Sequence, residues 1–203
     1  MILKFEQKLI NQLLLLKKNY NLVGIKSETE AEGSSYCDIA RLRSITNKLG
    51  IKLFVKIGGV EALNDIYNCI ELSVDGIIAP MVETNFGAKK FVDIFEKLKL
   101  KRNPHLSINI ETKNGINNLE EILKTVSKKI NNITIGRTDL SSSYFSEKIF
   151  PNSDFILKKV KHASKLASKY KITTTVGGSV NAETIRLYSK KKNLEKYLNK
   201  IET

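Results

Sequence analysis

With 203 residues, 41% hydrophobic and 27% charged, the chain has the balance of a globular protein with a sizeable core. Its net charge is +13, and lysine supplies 29 of the 34 basic residues. The lysines recur in nearly every helical stretch and form no single block, which argues for solvent-facing helix surfaces and against a nucleic-acid footprint.

A positive field also draws anionic metabolites. No apolar run reaches the length of a membrane span. The run Leu13, Leu14, Leu15, Leu16 is short and follows Lys4, Glu6 and Lys8, unlike a secretory signal. Cys37 and Cys69 lack metal-ligand spacing and suit a reducing, cytoplasmic setting.

Two textures alternate along the chain: short β-branched runs and longer stretches of helical period. The first helix is expected from Phe5, Leu9, Leu13 and Leu16, and the first strand over 22–28. Strands follow over 52–57, 76–81, 106–111, 132–136, 172–176 and 197–202. Between them Leu63, Ile66, Ile70 and Val74 keep helical spacing, as do Ala88, Phe91, Phe95 and Leu98. Gly50 and Gly76 read as helix C-terminal caps. The stretch 141–152 is the longest loop-like segment and sits where a lid would. Repeated βα units predict a parallel sheet covered by helices. No glycine-rich dinucleotide fingerprint follows the first strand, so the expectation is a (β/α)8 TIM-barrel-like fold. Only seven strands are found, so either an eighth element lies unrecognised near the N-terminus, or the barrel is incomplete, or a partner subunit closes it. With no Pro/Gly-rich linker, a single domain over 1–203 is expected.

Alternation along the strands places some polar side chains inside such a barrel. Ile108 and Ile110 share one face, so Ser107, Asn109 and Glu111 point inward. The same reasoning sends Lys26, Glu28 and Lys56 inward and leaves Arg137 and Asp139 just beyond a strand end. So many interior charges are costly unless they pair or hold an ion. A salt bridge such as Lys56 with Glu111 is the structural reading, and a catalytic rim is the functional one.

Glu111 and Asp139, one at each of two consecutive strand ends, offer two hard oxygen ligands suited to Mg²⁺ or Mn²⁺. The lack of a histidine cluster argues against zinc, and His105 and His162 lie away from the expected rim. A cation held by two carboxylates leaves positions for the carboxylate and keto oxygen of a 2-oxo acid, and Lewis-acid stabilisation of an enolate then permits cleavage or formation of the adjacent C–C bond. Lys56 is the first candidate to hold the substrate carboxylate, and Arg137 the second. Backbone amides between Gly136 and Asp139, or at Gly177 and Gly178, are candidate oxyanion donors. The glycine pair reads equally well as a tight turn.

The motifs APMVET, INIET and GRTDLS, in that order, resemble the superfamily of metal-dependent pyruvate aldolases that includes hydroxyoxoheptanedioate aldolase and the citrate lyase β subunit. The resemblance runs from about Gly24 to the C-terminus, and GIKSETEAEG with VKIGGVEAL points to one branch of that superfamily. It implies a modified TIM barrel, a Mg²⁺ or Mn²⁺ site at Glu111 and Asp139, and a substrate related to pyruvate, oxaloacetate or phosphoenolpyruvate. It also implies assembly into trimers or hexamers, with Asn109 beside the site and Pro80 and Met81 lining it. Two departures stand out. Lys56 takes the place of a family arginine that clamps the carboxylate in a bidentate fork. No histidine occupies the loop after the first strand, where Glu30 or Glu32 is the expected acid or base if burial raises its pKa. Two other classes stay open: a Schiff-base lyase using Lys56 or Lys26, and a non-catalytic barrel that binds an anionic partner.

Overall fold

A computed structural model describes residues 4–190 and 194–203. The fold is α/β, with seven parallel strands following one another in chain order, as in an incomplete TIM-barrel-like fold. The strands are β1 Gly24–Glu28, β2 Lys52–Lys56, β3 Gly76–Ala79, β4 His105–Asn109, β5 Asn132–Gly136, β6 Thr173–Gly177 and β7 Lys200–Ile201. The helices are α1 Lys4–Tyr20, α2 Tyr36–Leu49, α3 Leu63–Glu71, α4 Asn85–Leu98, α5 Lys113–Asn117, α6 Leu119–Val126, α7 Arg137–Ser142, α8 Asp154–Lys169 and α9 Ala182–Lys190. No described helix is long and apolar enough to cross a membrane.

The chain divides into two compact units. The first comprises Met1–Gly58 and Ala62–Ile78. In it, β1 and β2 pair in register from Gly24 opposite Lys52 to Glu28 opposite Lys56, and β2 pairs with β3. Alternation is clean in β2: Leu53 and Val55 are fully buried, while Lys52, Phe54 and Lys56 lie on the other face. Leu13 of α1 is buried against Ile45 and Ile51, with Leu9, Ile10, Leu22 and Ile25 around them. Each fully buried aliphatic side chain of this kind contributes roughly 1.5–3 kcal/mol. Helix α2 begins with a complete capping box between Ser35 and Asp38 and stops at Gly50, whose φ of 59° is the left-handed cap conformation. Gly76 does not cap a helix. It opens β3, and α3 ends at Glu71 with Leu72 as its C-cap.

The second unit, Gly59–Glu61 and Ala79–Thr203, holds β4–β5, β5–β6 and β6–β7 pairings, all parallel. Its helices present apolar stripes at helical spacing: Ala88, Phe91, Val92 and Phe95 in α4, and Ile156, Val160, Ala163 and Ala167 in α8. Beneath the strand ends lies a buried polar cluster. Asn132 donates to Ser107 Oγ and Thr134 Oγ1 and accepts from Thr173 and Thr175. The stretch 141–152 is not all loop. Ser141 and Ser142 finish α7, and the rest is tied down at Tyr144, whose ring meets Phe155 edge-on at 4.9 Å.

Candidate active site

Glu111 follows β4 by two residues and is 3% exposed. Its Oε1 accepts from the backbone N–H of Met81 at 3.0 Å, and its Oε2 accepts from Asn109 Nδ2 at 3.0 Å. Both oxygens therefore act as acceptors, with a fixed orientation. Met81 makes its bond from φ 50°, a conformation that costs a non-glycine residue about 1 kcal/mol or more. Its side chain is half exposed, and Pro80 before it is half-buried. The amide oxygen of Asn109 is buried without a hydrogen-bond partner. The Asn109 amide is thus held by its bond to Glu111 at the expense of its other end.

Gly136 closes β5 directly against this carboxylate. A methyl group on Gly136 would come within 2.5 Å of Glu111 Oε2 and 2.9 Å of its Cβ. Gly136 is also the N-cap of α7, whose first turn carries Asp139. Asp139 is exposed, and its carboxyl oxygens have no protein partner among the described residues. Arg137 and Asp139, expected just beyond a strand end, lie there in the first turn of α7.

Arg137 does not face a ligand. It is 0% exposed, the largest fully buried side chain among the described residues. Its Nε donates to Gly177 O, Nη1 to Pro151 O and Asn152 Oδ1, and Nη2 to Gly178 O and Thr184 Oγ1. All five guanidinium N–H groups are accounted for. The Tyr188 ring lies 5.7 Å away. Burial lowers the guanidinium pKa from its ordinary value, and burial also pushes the Tyr188 hydroxyl up to about 12. The substrate-clamp role expected of Arg137 is therefore replaced by a structural tie.

Gly177 and Gly178 form the tight turn at the end of β6, with Gly178 at φ 78°. A methyl on Gly178 would sit 2.7 Å from Thr138 N and 2.9 Å from Arg137 N. The amides that open α7 are thus covered by this corner, and both glycine carbonyls accept from Arg137.

The remaining expected site residues belong to the first unit. The Lys56 ammonium lies 2.7 Å from Glu28 Oε2, and Lys26 lies 2.5 Å from Glu28 Oε1. Lys56 thus pairs with a carboxylate on the neighbouring strand. Burial alone would raise the Glu28 carboxyl, but hydrogen bonds and charge from Lys26 and Lys56 outweigh it and hold its pKa below 4.5. Both lysines are ion-paired, whereas a Schiff-base lysine acts as a neutral amine. Glu30 and Glu32 are exposed, so neither has the burial that their acid–base role was expected to need. Glu30 lines a cavity of about 180 Å³ together with Thr29, Ser34, Asp65 and Cys69.

In the second unit the structure brings Met81, Asn109, Glu111 and Gly136 into contact, and it joins Arg137 with Gly177 and Gly178. Sequence reasoning missed the interlock of the two corners after β5 and β6. The only signals for it were a glycine pair and an arginine, neither of which names its partner.

Among the described residues no group of three or more His, Cys, Asp or Glu converges to hold a metal ion. A cation at Glu111 and Asp139 would therefore need water or substrate oxygens to complete its shell. The Glu111 carboxylate, oriented on both oxygens, and the unpartnered Asn109 amide oxygen are hard donors of the type that suits such a cation.

Comparison with known proteins identifies the family and the fold. The family model of the HpcH/HpaI aldolase/citrate lyase family matches residues 41–191. No curated protein matches the chain by sequence. Among solved structures, an HpcH/HpaI aldolase from Desulfitobacterium hafniense DCB-2 superposes with a TM-score of 0.76 at 12% identity, covering 99% of this chain and 82% of that one. An HpcH/HpaI aldolase/citrate lyase family protein from Burkholderia cenocepacia J2315 gives 0.76 at 14% identity, covering 96% and 82%. The citrate synthase SbnG gives 0.75 at 15% identity, covering 97% and 80%. At such identities these likenesses speak for the fold alone. The family match spans most of the chain, and it is an aldolase and lyase family: this chain belongs to the HpcH/HpaI aldolase/citrate lyase family.

Proposed function

We propose that the ends of β4 and β5 form the active site of a divalent-cation-dependent carbon–carbon lyase of the aldolase type. Its substrate would be a 2-oxo acid related to pyruvate, oxaloacetate or phosphoenolpyruvate, handled by a trimer or hexamer of the chain. The observation that carries the reading is Glu111. A carboxylate 3% exposed is costly to bury, yet this one is oriented on both oxygens and backed by a glycine with no room for a side chain. An apolar residue would serve packing better.

Glu111 and Asp139 would hold Mg²⁺ or Mn²⁺, which when bound supplies Lewis-acid polarisation of the substrate carbonyl. The chain's own residues prepare that chemistry. The Met81 N–H and the Asn109 amide aim Glu111, and Gly136 keeps its oxygen clear. Pro80 and Met81 offer apolar surface beside it. Within the first unit, Lys56 is held in an ion pair with Glu28. The Gly177–Gly178 corner contributes shape.

Cleavage of a 4-hydroxy-2-oxo acid, followed by pyruvate release, tests the reading. EDTA should abolish turnover, added Mn²⁺ should restore it, and Glu111→Ala should lower kcat/KM by about a thousandfold or more, the scale of a lost Lewis acid. Turnover that resists chelation would contradict it. A borohydride-trapped adduct on Lys26 or Lys56 would point to the Schiff-base class instead.

A further inference from the structure

We infer that Arg137 is a positioning residue that locks the corner carrying Asp139 onto the corner after β6, so that the cation ligand and the Gly177–Ser179 backbone move as one piece. The inference rests on the proposed cation site and adds a residue that takes no part in the chemistry. Three observations support it.

First, Arg137 spends all five donors on acceptors from separate stretches of chain: Gly177 O and Gly178 O, Pro151 O and Asn152 Oδ1, and Thr184 Oγ1 of α9. Second, no described carboxylate pairs with it. A fully buried guanidinium satisfied by neutral oxygens alone is an expensive way to fill space, and apolar side chains of that volume pack as well without the desolvation cost. Third, the two corners interlock apart from the arginine. Gly178 fits over the amide nitrogens of Arg137 and Thr138 with no room for a methyl group, and Thr138 Oγ1 lies 2.9 Å from Ser179 Oγ. Asp139, the next residue, inherits whatever order this contact has. It is exposed and lacks protein partners of its own, so its position depends on the backbone that Arg137 holds. Lysine would keep the charge but not the planar fork that reaches three stretches at once.

The test uses the full chain and Mn²⁺ as probe, read by calorimetry and by amide hydrogen exchange without metal. Arg137→Lys and Arg137→Met should both weaken Mn²⁺ binding about 10- to 100-fold, the range for groups that orient metal ligands. Amides of 138–143 and 178–184 should lose protection together. Because either variant risks a folding defect, Asn152→Ala serves as a milder cut: it keeps the cation and removes one anchor, and should weaken Mn²⁺ several-fold with the same paired loss of protection. Wild-type affinity in Arg137→Lys would mean that charge and not the fork matters, and would overturn the inference. So would unchanged affinity and protection in folded Arg137→Met or in Asn152→Ala. If the wild-type chain binds no Mn²⁺ while Asn152→Ala still loosens both corners, the lock stands and the cation site fails.

Discussion

At the scale of single residues, Gly136 gives the sharpest prediction. Its φ of −81° suits any residue, so only space forbids a side chain. Gly136→Ala should push Glu111 aside, lower activity at least tenfold and destabilise the chain by about 1–3 kcal/mol. Gly59→Ala, where nothing lies within reach of an added methyl, is the matched control and should be neutral. The two cysteines should also separate. Cys69 is 2% exposed, and burial with the nearby Asp65 charge raises its thiol to about 12, whereas Cys37 is exposed. Iodoacetamide at pH 8 on the native protein should label Cys37 and spare Cys69 until the chain is unfolded. Peptide mapping would contradict this by finding both labelled at similar rates. Glu111 was legible in the sequence because an acidic residue ending a β-branched run is conspicuous. Arg137 was misread because a charge next to a presumed metal ligand suggests substrate. What decided its role was the set of neutral oxygen acceptors within reach, and those come from residues 14 to 47 positions away.

At the scale of elements, all seven strands lie where alternation and β-branching put them, because a strand inside a covered parallel sheet shows its pattern locally. The last is shorter than the stretch 197–202, with only Lys200–Ile201 in the ladder. Helix α7 was not legible. Its residues, Arg137 to Ser142, include serines that favour turns and caps, and its Thr138 hydroxyl meets Ser179 at the β6 corner. Gly76 looked like a cap because it follows a helical stretch, but Ser73, at φ 51°, takes the left-handed turn after α3. Caps themselves are local chemistry and can be tested locally. Ser153 accepts from the backbone of Ile156 at the start of α8, so Ser153→Ala should cost about 1 kcal/mol in urea unfolding without changing cation affinity. A loss of cation affinity in a variant that stays folded would contradict that separation of roles.

At the scale of the whole molecule, stability should depend on acid in a particular direction. The folded Glu28 carboxyl titrates below its ordinary value of 4.5, because two ammoniums outweigh the effect of burial. Its contribution is therefore complete at neutral pH and is lost as pH falls below about 4.5 toward the folded value. Lys56→Met removes one of the two ammoniums, so the difference in unfolding free energy between pH 7 and pH 3 should shrink, and an unchanged difference would contradict the pairing. The chain belongs to an aldolase and lyase family, and the ends of β4 and β5 are the proposed location of its chemistry. Everything turns on two carboxyl groups sharing one ion. Crystals soaked in Mn²⁺ and measured at the manganese absorption edge would decide it. The account predicts an anomalous peak about 2.0–2.3 Å from an oxygen of Glu111 and from an oxygen of Asp139, typical of hard-cation coordination. A peak elsewhere, or none at saturating Mn²⁺, would contradict it.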